Sequence, residues 1–171
     1  MTYGTLISSV TVGAGGASSI DFTSIPATYT DLCVVLSARS NAGDNVAYFR
    51  VNTATTSFSQ KFLMGTGASA VSGSDTQLYV PVSNSGHTAN TFGNTIIYIP
   101  NYTSSANKTF SIDGANENNS TDVRHLIEAG LWSNTAAITS IQIPCPGGSF
   151  VQYSTAYLYG LLKGSGGATA A

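Results

Sequence analysis

Two histidines and eight carboxylates are the residues in this chain from which acid–base or metal chemistry could be built. His87 lies in the polar stretch Ser83-Asn84-Ser85-Gly86-His87-Thr88, which reads as an exposed turn. His125 stands three residues before Glu128. That spacing makes them neighbours on a helix and sets them on opposite faces of a strand. A Ser-His-Asp site needs a nucleophile marked out by its context, and the chain holds no Gly-x-Ser-x-Gly elbow. A protein-bound zinc needs more ligands than this pair supplies. The densest polar stretch runs from Asp113 to Asp122 and includes Glu117 and several Asn side chains. Its oxygens suit Ca²⁺, but their spacing does not follow an EF-hand loop, and the stretch reads first as a long hairpin loop. Asp21 and Asp31 flank the Ser24-Ile25-Pro26 turn without an evident partner, whereas glycosidase chemistry needs two carboxylates facing across a cleft. Gly13-Ala14-Gly15-Gly16 follows an apolar run, but a second strand-like segment comes next. A dinucleotide site would need a helix there, so a hairpin turn is expected. The residues therefore predict no catalytic group, no bound cofactor and no metal, and a protein that is not an enzyme.

The composition points the same way. Lys and Arg number 6 and Asp and Glu 8, only 8% of the chain, against about 25% in an ordinary soluble domain. Hydrophobic residues stay at 42%, so Ser, Thr, Asn and Gly have replaced the charge. Such a surface steers and repels little and suits lasting contact with other protein. The six cations, Arg39, Arg50, Lys61, Lys108, Arg124 and Lys163, are scattered along the chain. Nucleic acid is not an expected partner, since phosphate binding needs clustered Lys and Arg. No run approaches the ~18 apolar residues of a membrane helix, so no membrane partner is expected. The first residues also lack the basic start and apolar core of a signal peptide. Without such a signal, the sequons at Asn101, Asn107, Asn118 and Asn119 carry little weight. Cys33, within an apolar run, and Cys145, between two prolines, are expected as free thiols, with a bridge between them left open. Tyr153, Tyr157 and Tyr159 are expected in the last strand, with Tyr157 and Tyr159 on one face. They read either as core with hydroxyls at its rim or as an interface.

The elements that position these residues are short β-like runs broken by Gly, Asn, Ser and Pro. Strands are expected at residues 6–12, 20–23, 32–38, 46–51, 61–64, 78–82, 94–99, 109–113, 138–143 and 156–162. Residues 32–38 form a continuous apolar run, the mark of a central strand. Along 46–51, Val46, Tyr48 and Arg50 alternate with Ala47, Phe49 and Val51. Residues 122–132 place Val123, Leu126, Ile127 and Leu131 at helical spacing, yet their surroundings and Gly130 favour a strand. With no helical crossovers, the strands must be antiparallel. The expected fold is all-β, a single antiparallel sandwich over residues 1–163. Residues 164–171 form a Gly/Ala-rich tail of linker composition.

Three segments taken together carry a resemblance. Ile20 to Leu32 runs into a buried strand ending near Arg39 and Ser40. Gly130 to Ile141 follows later, and the chain closes on Phe150 and Ala156 to Leu161. In this order it resembles the small β-sandwich virion proteins of tailed bacteriophages, found as capsid decoration (cement) proteins or in tails and fibres. The resemblance implies a jelly-roll-like sandwich, a homotrimer, and no catalytic residues to carry over. It further implies a capsid decoration protein on the exterior of the virion, bound to major capsid protein. Read as a small product starting at Met1, the chain fits that role better than a fibre. The alternative is a tail or fibre module binding a host glycan, and an enzyme such as a depolymerase ranks last.

Overall fold

The computed structural model describes residues 4–116 and 124–162, and every regular element among them is a β-strand. In chain order these are β1 (Thr5–Thr11), β2 (Ser19–Phe22), β3 (Asp31–Ala38), β4 (Val46–Val51), β5 (Phe58–Gly65) and β6 (Ala70–Asp75). They continue with β7 (Leu78–Pro81), β8 (Gly93–Ile99), β9 (Lys108–Asn116), β10 (Arg124–Trp132), β11 (Ile141–Pro144) and β12 (Thr155–Leu161). An eight-stranded sheet has the order β1-β12-β3-β8-β9-β10-β5-β6, and a four-stranded sheet has the order β2-β11-β4-β7. All pairings between these strands are antiparallel. The chain is thus a β-sandwich in a single domain, as the alternation and the missing crossovers predicted.

Period-two patterning builds the core. β8 alternates strictly between buried and exposed from Gly93 to Ile99, and β4 buries Ala47, Phe49 and Val51 as expected. Leu32, Val34, Leu36, Ile97, Phe110, Ile112 and Leu158 from the larger sheet meet Ile20, Phe22, Phe49, Val51, Val80 and Ile143 from the smaller. Phe49 packs edge-on to Phe110 across the layers, with ring centroids 5.4 Å apart.

Consecutive strands change sheets: β1, β3, β8 and β12 lie in the larger, and β2, β4, β7 and β11 in the smaller. Two hairpins, β5–β6 and β9–β10, interrupt this alternation. They pair with each other through β10 and β5 and extend the larger sheet past β8.

Several expectations are corrected. The Gly13–Gly16 turn is present, closed by the Gly16 N–H on the Gly13 carbonyl at 3.0 Å. It is not a hairpin, because β1 and β2 belong to different sheets. β6 was not expected at all; its Ala, Val, Ser and Gly residues are mostly exposed and carry no apolar alternation. β11 begins at Ile141 rather than Ile138, which is buried in the preceding loop. Tyr153 precedes β12 and lies in a turn at φ 72°. Residues 124–132 are strand, as preferred over helix. Residues 117–122 of the candidate Ca²⁺ loop, Asn118, Asn119 and the 164–171 tail lie outside the described residues.

Candidate functional site

β10 sends His125 and Glu128 to opposite faces. His125 projects outward, where its Nε2 hydrogen-bonds Asp113 Oδ1 on β9 at 2.8 Å. Among the described residues, no serine hydroxyl bonds that ring. Glu128 projects inward and is 2% exposed. Its Oε2 accepts the Tyr79 N–H at 3.0 Å. Burial pushes its carboxyl up to about 8, the Tyr79 bond works against that shift, and the nearby Asp75 carboxylate adds to it. Tyr79 in turn donates its hydroxyl to Asp75. Glu128 caps the outer edge of the smaller sheet at β7.

The remaining candidates resolve into structural roles. His87 is buried rather than exposed: its Nδ1 faces the Asn84 N–H at 3.4 Å, and its carbonyl accepts from Arg39 at 3.0 Å. Arg39 also donates to the carbonyls of Thr88 and Thr91, so one guanidinium organises the whole turn. Asp31 has partners after all. It accepts the Tyr98 hydroxyl at 2.7 Å and the Asn101 N–H at 2.8 Å, and the first of these bonds raises the Tyr98 phenol above its ordinary range. Asp21 accepts the Ser19 hydroxyl. Cys33 and Cys145 are both free and buried, and burial raises both thiols.

What the structure does assemble is a face. On the outer side of the eight-stranded sheet, the strand registers place side chains in rows across neighbouring strands. One row reads Ser9, Tyr157, Val35, Ile96, Asp113, Ile127, Leu63 and Ser72. The adjacent row reads Leu6, Tyr159, Cys33, Tyr98, Ser111, Ala129, Lys61 and Ser74. Among the described residues, six of the nine exposed large apolar side chains lie in these two rows: Leu6, Leu63, Ile96, Tyr98, Ile127 and Tyr157. Leu63 is 63% exposed and Ile127 50%. Tyr157 and Tyr159 share this face with ring centroids 6.5 Å apart, so they belong to the surface and not to the core. Two shallow depressions of about 600 and 520 Å³ adjoin here and share Lys61, Ser74 and Ala129. These exposed apolar side chains thus gather on one face of the larger sheet.

The charges within the two rows are Lys61 and the Asp113 carboxylate, the latter already paired with His125. Sequence reasoning found Tyr157 and Tyr159 but passed over Leu6, Leu63, Ile96 and Ile127. The signal was available in adjacent apolar pairs such as Ile96-Ile97 and Leu126-Ile127. On a strand, one member of each pair must face outward. The chain matches no family model, no curated protein and no solved structure.

Proposed function

We propose that this protein is a non-enzymatic structural component of a bacteriophage virion: a capsid decoration protein that binds major capsid protein in the assembled shell. The observation that carries this reading is the broad, charge-poor outer face of the larger sheet, on which Leu6, Leu63, Ile96, Ile127 and Tyr157 are exposed. The order of strands adds support. The alternation of β1, β2, β3, β4, β7, β8, β11 and β12 between two sheets follows a jelly-roll path, with two hairpins inserted, and jelly rolls recur in viral shells. Residues 20–32, 130–141 and 150–161 supply the resemblance to phage virion proteins, and the threefold association is carried by that resemblance. Binding only the assembled shell stabilises it by mass action, summed over many copies. Few charged groups are desolvated in the process.

The test is cosedimentation with assembled shells and with unassembled capsid protein, alongside immunogold labelling of virions. Retention on shells, a higher shell-disruption temperature and label over the capsid are the expected results. Label confined to the tail, with no retention on shells, overturns the reading.

One observation favours the alternative tail module. On the outer face of the smaller sheet, Tyr48 stacks on Tyr79 with ring centroids 6.3 Å apart, and the Arg50 guanidinium lies 5.9 Å from the Tyr48 centroid. Aromatic rings beside polar groups suit the apolar faces of sugars. Binding to a glycan array, abolished by Tyr48→Ala, would shift the assignment to that module.

A further inference from the structure

We propose that the outer face of the eight-stranded sheet is covered by a second copy of this chain, in a twofold, face-to-face pair. The inference rests on the same apolar face that supports the proposed function; it assigns that face to a second copy and leaves the pair's remaining surfaces to capsid protein.

Area is the first argument. Eight strands about 4.8 Å apart span about 34 Å, and seven residues at about 3.3 Å each run about 23 Å. The face is therefore close to 800 Å², about the area each partner contributes to a stable protein interface. The strands β1, β12, β3 and β8 alone would offer about half of that. The two inserted hairpins double it, and they bring Ile127, Leu63 and Ala129 to the surface in line with Tyr157, Val35 and Cys33. The insertions thus enlarge the face to the size that a self-sufficient contact requires.

Charge is the second argument, and it selects the occupant. Across the whole face the ionisable groups are Lys61, the Asp113–His125 couple and Asp31, which accepts the Tyr98 hydroxyl, so little is offered to steer a strongly charged partner. The face does complement itself. A twofold axis parallel to the strands, between β8 and β9, lays β12 of one copy over β5 of the other and β3 over β10. Row then meets row: Tyr157 lies over Leu63 of the second copy and Val35 over Ile127. Lys61 comes over the Tyr159 ring, a favourable cation–π arrangement. The other in-plane axis, running along the Tyr157–Leu63 row, would set Asp113 against its own copy, and that like-charge contact disfavours it.

The experiment is sedimentation equilibrium on the purified full-length chain at micromolar concentration, with folding checked by near-UV circular dichroism. The expected state is a dimer, or an even-numbered assembly built from dimers. Ile127→Asp and Leu63→Asp, both at exposed positions, should weaken pairing at least tenfold while the spectrum stays native. Tyr153→Asn, on an exposed turn elsewhere, should leave it unchanged. Mixing a Val35→Lys copy with an Ile127→Asp copy should restore pairing that neither shows alone. A monomer or a trimer indifferent to Ile127→Asp and Leu63→Asp overturns the proposal. If that protein still binds shells and loses them with Ile127→Asp, the face serves capsid protein and the proposed function stands. If pairing holds but shells are not bound, the pair stands and the capsid role falls.

Discussion

Glu128 is a carboxylic acid held against the edge of the smaller sheet, and its protonation is tied to folding. In the unfolded chain it ionises near 4.5, whereas in the folded protein it does so only near 8. Below pH 4.5 the group is neutral in both states and its contribution is fully present. Between 4.5 and 8 only the unfolded chain ionises freely, so stability falls as pH rises, and the loss is complete above 8. At about 1.4 kcal/mol per pKa unit, the penalty is on the order of a few kcal/mol. Glu128→Gln keeps an oxygen for the Tyr79 N–H and removes the charge. Its melting temperature should exceed the wild type's at pH 9 and match it at pH 4; equal melting temperatures at both pH values would contradict the assignment. Arg39 makes a second residue-level case. Its guanidinium serves three carbonyls, those of His87, Thr88 and Thr91, and a lysine ammonium cannot reproduce that fork. Arg39→Lys should cost about 1–2 kcal/mol and raise amide exchange across residues 84–92, measurable by mass spectrometry.

Strands are held here by how closely their backbones approach, and Gly114 on β9 shows this. A Cβ at that position would stand 2.9 Å from the Asn94 carbonyl oxygen, 2.9 Å from the Pro81 ring and 2.5 Å from Thr95 Oγ1. Backbone and a proline ring cannot step aside as a flexible side chain would. Gly114→Ala should therefore cost about 1–3 kcal/mol, read from the midpoint of urea unfolding. At this scale most strands could be read directly, because β4 and β8 alternate so cleanly and polar breakers separate the runs. β6 could not, since an edge strand over few neighbours needs no apolar side chains to form. The outer face was harder still. Leu126-Ile127 and Phe62-Leu63 announce two apolar faces, but only the register shows that Ile127 and Leu63 stand side by side. His87 looked exposed because its neighbours are polar; the guanidinium that holds that turn comes from a residue 48 positions earlier.

For the molecule as a whole, scarcity of charge sets how association responds to solution conditions. Ion pairs weaken with salt, whereas apolar contact does not. Sulfate strengthens apolar contact by its exclusion from protein surface. Association should thus change less than threefold between about 50 and 500 mM NaCl and tighten in ammonium sulfate. A steep loss of association in NaCl would assign the contact to charge instead.

The pairing of β1 with β12 sets an order of events during synthesis. β12 fills the slot between β1 and β3, yet more than a hundred residues separate it from either strand along the chain. Until the ribosome has delivered Thr155–Leu161, β1 has no neighbour in the larger sheet and one side of β3 stays bare. A nascent chain stalled before that point presents an unpaired strand rich in Leu, Cys and Val. Such edges recruit foreign strands. Slow translation between Ala38 and Thr155 is then expected to lower the share of protein that reaches the soluble fraction.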